Sequence, residues 1–299
     1  MRVFVVGAGG FIGSKICCLL SEAGHDLKRH DWEAMGDLDP GHLGLPFDVL
    51  VNAAGRLGGH GATMEELRAS NVGVPEIVAD AWGSGRDFHV IHLSTPGVTG
   101  LVPGAGESLP PAPWGEYERT KAEAEELLRA RVAGARLTIL RPDFVYGPGD
   151  RHKLPLWQRA AKGWFPLVGS GKALLRPTYV DDVCRAVLAA LPGGSLRADV
   201  YNIGGPDVVS MRHLVREIAG SMGTRVRMLP IPAPALRLAA RLGPLAPGAL
   251  SRSRVEMFGK SHYVLTGKAW QAGFRASTGL REGIAATTSW YAAQGLIRR

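Results

Sequence analysis

The chain has 299 residues, 45% of them hydrophobic and 21% charged, with a net charge of +8. That is enough to bury a full core with a smaller companion domain, and it excludes a disordered protein. No run of about 20 uninterrupted apolar residues exists, so no membrane span is expected, and no dense Lys/Arg block with interleaved aromatics points to nucleic acid.

The first element is Arg2-Val3-Phe4-Val5-Val6, an apolar run with β propensity that leads directly into Gly7-Ala8-Gly9-Gly10-Phe11-Ile12-Gly13. Ser14 to Leu20 continues with helical character. A buried strand, a glycine turn and a helix N-terminus form a phosphate cradle, because glycines admit the backbone to a pyrophosphate and helix N–H groups face the anion. Gly7, Gly10, Phe11, Ile12 and Gly13 are therefore candidate dinucleotide contacts. The same glycines argue against reading Met1 to Leu20 as a signal peptide.

Gly24 to Asp31 reads as a second strand, with Asp31 at its end, 18 residues after Gly13. A carboxylate there accepts hydrogen bonds from ribose hydroxyls and repels a 2′-phosphate, favouring NAD over NADP. Lys28, Arg29 and His30 leave NADP open. Only 15 residues separate Asp31 from Phe47, too few for a full helix and strand. Gly36-Asp37-Leu38 is a reduced third strand in this reading, with Asp37 and Leu38 edging the adenine. Phe47 to Asn52 is the next strand, and the small Ala53, Ala54 and Gly55 let backbone lie against a dinucleotide.

Met64–Gly83 and Glu116–Ala133 read as helices. Between them Val90-Ile91-His92-Leu93 is a strand ending in Ser94 and Thr95, 22 residues before Tyr117. Tyr117 and Lys121 are four apart on the second helix, so phenol and ammonium share a face. A nearby ammonium lowers a tyrosine pKa from about 10 and suits it to exchange a proton with an alcohol or ketone. Thr95, over the crevice at a strand's carboxyl end, holds the substrate oxygen beside it; its local alternative is a turn hydrogen bond. Leu137 to Leu140 is the next strand, bringing Pro142 to Val145 near the nicotinamide.

Further motifs follow: Leu140-Arg141-Pro142, Val145 to Asp150, Tyr179-Val180-Asp181-Asp182-Val183 and Tyr201 to Gly205. With the glycine loop, Asp31, Asn52 to Gly55, Asn71-Val72, Ser94-Thr95, Tyr117 and Lys121, they resemble the extended short-chain dehydrogenases/reductases, the NAD-dependent epimerase/dehydratase family. The resemblance runs through nearly the whole chain. It implies an α/β fold, a Rossmann doubly wound parallel sheet with a smaller, mostly C-terminal substrate domain. Residues 1–147 with 178–207 form the first domain in this reading, and 208–299 with 148–177 the second. It also implies Thr95, Tyr117 and Lys121 as the catalytic set, and a homodimer through Met64–Gly83 and Glu116–Ala133.

Departures from the family pattern narrow the chemistry. Members that remove water from sugars carry an acidic pair after the threonine, where this chain has Pro96 and Gly97, so dehydration is disfavoured. Nucleotide-sugar members often carry Asn where this chain has Phe144, and their arginine before Tyr179 is displaced by one position as Arg176. Thr95, Pro96, Phe144 and Arg176 are the candidate substrate contacts. A nucleotide-linked sugar leads as substrate, for a 4-ketoreductase or epimerase. A hydroxysteroid-dehydrogenase-like enzyme on a lipophilic alcohol is the alternative. A non-catalytic NAD-binding sensor or assembly subunit comes third, since such relatives generally lose the tyrosine or lysine kept here.

Cys17, Cys18 and Cys184 lack metal spacing, as do the nine histidines, so no metal is expected. Buried free thiols in a reducing cytoplasm fit best. In the Pro-rich stretch Leu229–Leu250, Ala235 to Leu242 reads as a helix packing its leucine face on the core, with a lid or a lipid-touching patch as alternatives.

Overall fold

The computed structural model describes residues 1–31, 46–58, 62–241 and 252–297. Asp37 and Leu38, and the reduced strand they belong to, lie outside the described residues. Six strands form one sheet in the order Val200–Ile203, Leu137–Pro142, His89–Leu93, Val49–Asn52, Arg2–Val6, Asp26–His30, every neighbour parallel. The four central strands are buried along nearly their whole length, because helices cover both faces. Val3 to Val6, Val49 to Val51, Val90 and Ile91 are buried almost completely, each such side chain contributing about 1.5–3 kcal/mol.

One face is covered by helices Phe11–Glu22 and Val180–Ala189, the other by Gly73–Gly83 and Glu116–Arg131. This is the doubly wound sheet expected from the sequence. The chain order reverses between Arg2–Val6 and Val49–Asn52. Open parallel sheets bind ligands at the carboxyl ends of such strands. The glycine loop and Ala53 to Gly55 leave the sheet at this switch point.

Met64–Gly83 is two helices, Met64–Asn71 and Gly73–Gly83, where the sequence reading expected one. Pro75 causes the break, since its ring clashes with the carbonyl four residues earlier and it has no N–H to give. Cys17 and Cys184 are buried, but Cys18 is exposed on the outer side of its helix, correcting the expectation of three buried thiols.

A third apolar cluster gathers Tyr146, Trp157, Phe165, Leu167, Met211, Leu214, Ile218, Ile284 and Tyr291. Trp157 donates its indole N–H to Thr288 at 2.7 Å, and the Tyr291 hydroxyl donates to the Asp150 carbonyl. These bonds lock the C-terminal helix Leu280–Ala293 to the segment that follows Tyr146. Strands Trp164–Val168 and Arg227–Ile231 pair in parallel on the same cluster. The helix Ala233–Ala240 that follows buries none of its residues, and Leu238 is 65% exposed. The expected packing of its leucine face on the core is therefore not found; Leu242 lies outside the described residues.

Candidate active site

Gly7 ends the first strand with φ 81°, a left-handed conformation suited to glycine. A Cβ built there would sit 2.6 Å from the Ala54 nitrogen, and one on Gly13 would sit 1.9 Å from the Gly7 carbonyl oxygen. Both positions require glycine so that loop, helix and neighbouring strand end can meet. The helix Phe11–Glu22 starts at Gly10 with no side-chain cap and no acidic residue in its first turn. The first N–H groups of a helix have no intrahelical partner, so those of Phe11, Ile12 and Gly13 are suited to an anion. Asp31 stands at the strand end as expected, its carboxylate accepting the Gly9 N–H. Lys28 lies over the Phe4 ring at 5.8 Å, with its cation occupied on an aromatic face.

The loop Ala53 to Arg56 is fixed from below. Ala53 donates its N–H to the Val6 carbonyl at 2.9 Å, and Ala54 to the Asn52 side chain at 3.1 Å. Asn71, 1% exposed, accepts the Arg56 N–H at 2.9 Å, donates to the Arg56 carbonyl at 3.2 Å and to the Thr120 hydroxyl at 2.9 Å. Thr120 in turn donates to the Tyr117 carbonyl at 2.8 Å. Asn71 thus ties the dinucleotide side of the crevice to the turn of helix that carries Tyr117 and Lys121. The sequence reading registered Asn71 as a motif without this role.

The helix turn of Tyr117 lies beside that loop, and Lys121 reaches it with its ammonium. A Cβ on Gly58 would lie 3.6 Å from the Tyr117 Cβ, and one on Gly55 would lie 3.6 Å from the Lys121 Nζ. Lys121 is 2% exposed. Burial lowers its ammonium to about 8, with Glu125 opposing. Beside it His92, fully buried and bonded to Asn52 at 3.1 Å, is held well below the ordinary histidine range by burial and then by Lys121. For Tyr117 the sequence expectation is reversed. The residue is half-buried, and burial pushes the phenol above its ordinary value of 10, with the Glu118 charge pushing the same way. In the chain alone, desolvation outweighs the ammonium four residues on.

Thr95 lies two residues past the strand His89–Leu93 and accepts the Gly97 N–H at 3.3 Å, the local turn bond that the sequence left as an alternative. Pro96 opens the 3-10 turn Pro96–Thr99, which packs on helix Glu116–Arg131. The neighbouring Ser94 hydroxyl is buried without a partner among the described residues. A Cβ on Gly97 would fall 2.5 Å from the Glu118 Cγ and 3.3 Å from the Trp114 indole nitrogen. The space of a side chain at 97 is thus taken by a carboxylate-bearing residue from the helix.

Glu118 is 9% exposed and has no ion-pair partner among the described residues. Burial raises its carboxyl from 4.5 to about 7, against its own backbone N–H and Arg119. Such a group holds its proton more tightly folded than unfolded. Its contribution to stability is complete below pH 4.5 and is lost as pH rises to about 7. Glu118→Gln is therefore expected to gain about 1–3 kcal/mol over the parent at pH 8 relative to pH 5. Thermal unfolding at the two pH values checks this; the same difference at both would show that the carboxylate is not desolvated.

On the other side, Pro142 is buried, and Val145 packs against the core cluster that also receives Phe11 and Ile12. Phe144 has φ 35°, an uncommon left-handed value for a bulky residue. Lys153 lies 4.9 Å from its ring centroid. Asp143 is buried, with one carboxylate oxygen lacking a partner, and burial raises it to about 7 against Val264, Arg176, Phe144 and Lys153. Arg176 donates to the Gly205 carbonyl at 3.1 Å and the Thr266 hydroxyl at 3.3 Å. It lines a recess of about 190 Å³ with Asn202, Gly204, Thr266 and Trp270, which none of Thr95, Tyr117 and Lys121 lines.

Residues 3–204, which include the glycine loop, Thr95, Tyr117 and Lys121, match the family described as NAD dependent epimerase/dehydratase. The chain belongs to that family. It is an enzyme of the extended short-chain dehydrogenase/reductase type, and a nicotinamide dinucleotide is its cofactor. The uncapped helix start and the glycines that admit no Cβ fit that group. A 2-alkyl-3-oxoalkanoate reductase of Stenotrophomonas maltophilia (strain K279a) is 31% identical over 254 residues, covering 75% of this chain and 76% of the relative. A ceramide reductase of Caulobacter vibrioides is 27% identical, covering 99% of this chain and 96% of the relative. Among solved structures, UDP-glucuronic acid 4-epimerase from Bacillus cereus, in complex with UDP-glucuronic acid and NAD, superposes with a TM-score of 0.79 at 20% identity, over 98% of this chain and 100% of that one. Among the described residues no helix is long and apolar enough to cross a membrane.

Proposed function

We propose that this family member reduces a ketone on a lipophilic substrate, reversibly, with NAD(H). Gly7, Gly10, Phe11, Ile12 and Gly13 hold the pyrophosphate, and Ala53 to Gly55 with Pro142 and Val145 flank the rest of the dinucleotide. Asp31 takes the adenosine ribose hydroxyls, which favours NAD over NADP. Bound there, the cofactor supplies or takes a hydride at nicotinamide C4. Thr95 positions the carbonyl oxygen. Tyr117 donates its phenolic proton to that oxygen as the carbon is reduced and takes it back in the oxidising direction. Lys121 holds the nicotinamide ribose and offsets the burial of the phenol.

The observation that carries the oxidoreductase reading is the placement of Tyr117 and Lys121 on one helix, against the loop at Gly55 and Gly58 on the dinucleotide side of the crevice. The lipophilic substrate is supported by the Phe144 ring where nucleotide-sugar members often carry Asn, and by two relatives whose names are those of reductases of oxoalkanoates and ceramide. A nucleotide-linked sugar is the second reading, favoured by the charge of +8. It needs a cation for the diphosphate, and Arg176, whose Nη1 donates to Gly205 and Thr266 while its Nε has no partner among the described residues, is the candidate. A homodimer through helices Met64–Asn71, Gly73–Gly83 and Glu116–Arg131 belongs to the same proposal. NADH consumption with 2-alkyl-3-oxo acids and their thioesters, beside chromatographic detection of epimerised or reduced UDP-, dTDP- and GDP-sugars, separates the two substrate classes.

A further inference from the structure

The positive charge of this chain is unevenly placed. From Arg151 to Val180 the sequence has six Lys/Arg and no Asp or Glu, and from Ile218 to Val255 it again has six and none. The two segments hold twelve cations, more than the net +8 of the whole chain. They are far apart in sequence, yet the fold joins them. Trp164–Val168, in the first, pairs in parallel with Arg227–Ile231, in the second, with Trp164 opposite Arg227 and Pro166 opposite Leu229.

Alternation in this pair sends Phe165 and Leu167 into the core and leaves Trp164 at 40% and Leu229 at 36% exposure. An outward strand face is ordinarily polar. Here it carries an indole and a leucine among arginines. Arg227 in the second strand and Arg225 just before it are exposed, and the Arg159 guanidinium stacks over the Trp164 ring at 4.4 Å. None of these three arginines has a carboxylate partner among the described residues. The helix Ala233–Ala240, one residue past the strand, buries no side chain. Its Arg237 is different, since Glu256 pairs with it and with Lys260.

We propose that this face is a docking surface for an anionic lipid bilayer. Tryptophan settles at the headgroup level and leucine enters the acyl boundary. Each unpaired arginine near an anionic leaflet strengthens the attraction. A nucleic-acid backbone satisfies the arginines equally but offers nothing to Leu229 and Leu238, whereas a lipid surface satisfies both. The inference is independent of the substrate proposed above.

The test is flotation of the full chain, with NAD present, on phosphatidylcholine vesicles with and without about 30% phosphatidylglycerol. Binding is expected only to the anionic vesicles, and is expected to fall as salt screens the charges. Arg225→Glu with Arg227→Glu should weaken it at least about tenfold, and Trp164→Ala with Leu229→Ser should do so with the charge unchanged. Circular dichroism checks that each variant is folded. No flotation with anionic vesicles, equal flotation of the arginine variant, or binding to duplex DNA without binding to vesicles would each overturn the proposal.

Discussion

Tyr117→Phe is expected to lower turnover by about 10²–10⁴ while leaving NAD affinity within a few-fold of the parent. The substitution removes one oxygen and keeps the ring, so the packing of Tyr117 against the loop at Gly58 is retained. The bond from Thr120 goes to the Tyr117 backbone carbonyl and is untouched. What is lost is the proton donor and nothing that shapes the cradle. Fluorescence titration with NADH and the turnover number at saturating ketone report the two quantities separately. Lys121→Met should lose both turnover and affinity, since in the proposed scheme the ammonium serves the ribose as well as the phenol. A Tyr117→Phe enzyme with unchanged turnover would remove the tyrosine from the chemistry.

Glu125→Ala is expected to cost about 3–5 kcal/mol of folding stability, read from urea unfolding. Glu125 and Arg141 are 5% and 3% exposed at the side chain and joined by two bonds, Nε to Oε1 at 2.8 Å and Nη2 to Oε2 at 2.6 Å. One Arg141 nitrogen already lacks a partner, so the truncation would strand a buried guanidinium outright. Replacing both residues by leucine should recover much of the loss, because a buried pair exchanged for apolar side chains is often neutral. The pair fixes the helix of Tyr117 and Lys121 to the strand that ends at Pro142. Glu125→Ala should therefore also slow turnover, even at temperatures where it remains folded.

Much of this was legible in the sequence for physical reasons. Strands buried on both faces appear as unbroken apolar runs, as at Val3 to Val6, and a glycine loop that must admit close backbone announces itself at Gly7 and Gly13. What escaped depends on contacts between distant residues. Nothing in the spacing of Asn71 reveals that its amide joins Arg56 to Thr120. Arg141 reads as part of a motif near the nicotinamide, but it also anchors a helix through Glu125. The four-residue spacing of Tyr117 and Lys121 is real, while the sign of the phenol's shift depends on how deeply both are packed. Likewise Pro96 and Gly97 stand where the family's dehydratases carry an acidic pair, and the spacing does not reveal that Glu118 fills the space at Gly97 from the opposite element.

The most direct measurement is isotopic. NADH deuterated on C4 is incubated with the enzyme and a 2-alkyl-3-oxo acid or its thioester, and the product is analysed by mass spectrometry. The label should arrive on the new carbinol carbon with one NADH consumed per product, and the transfer should vanish in Tyr117→Phe. Product without deuterium, or interconversion of a nucleotide-linked sugar with no net NADH use, would contradict the account.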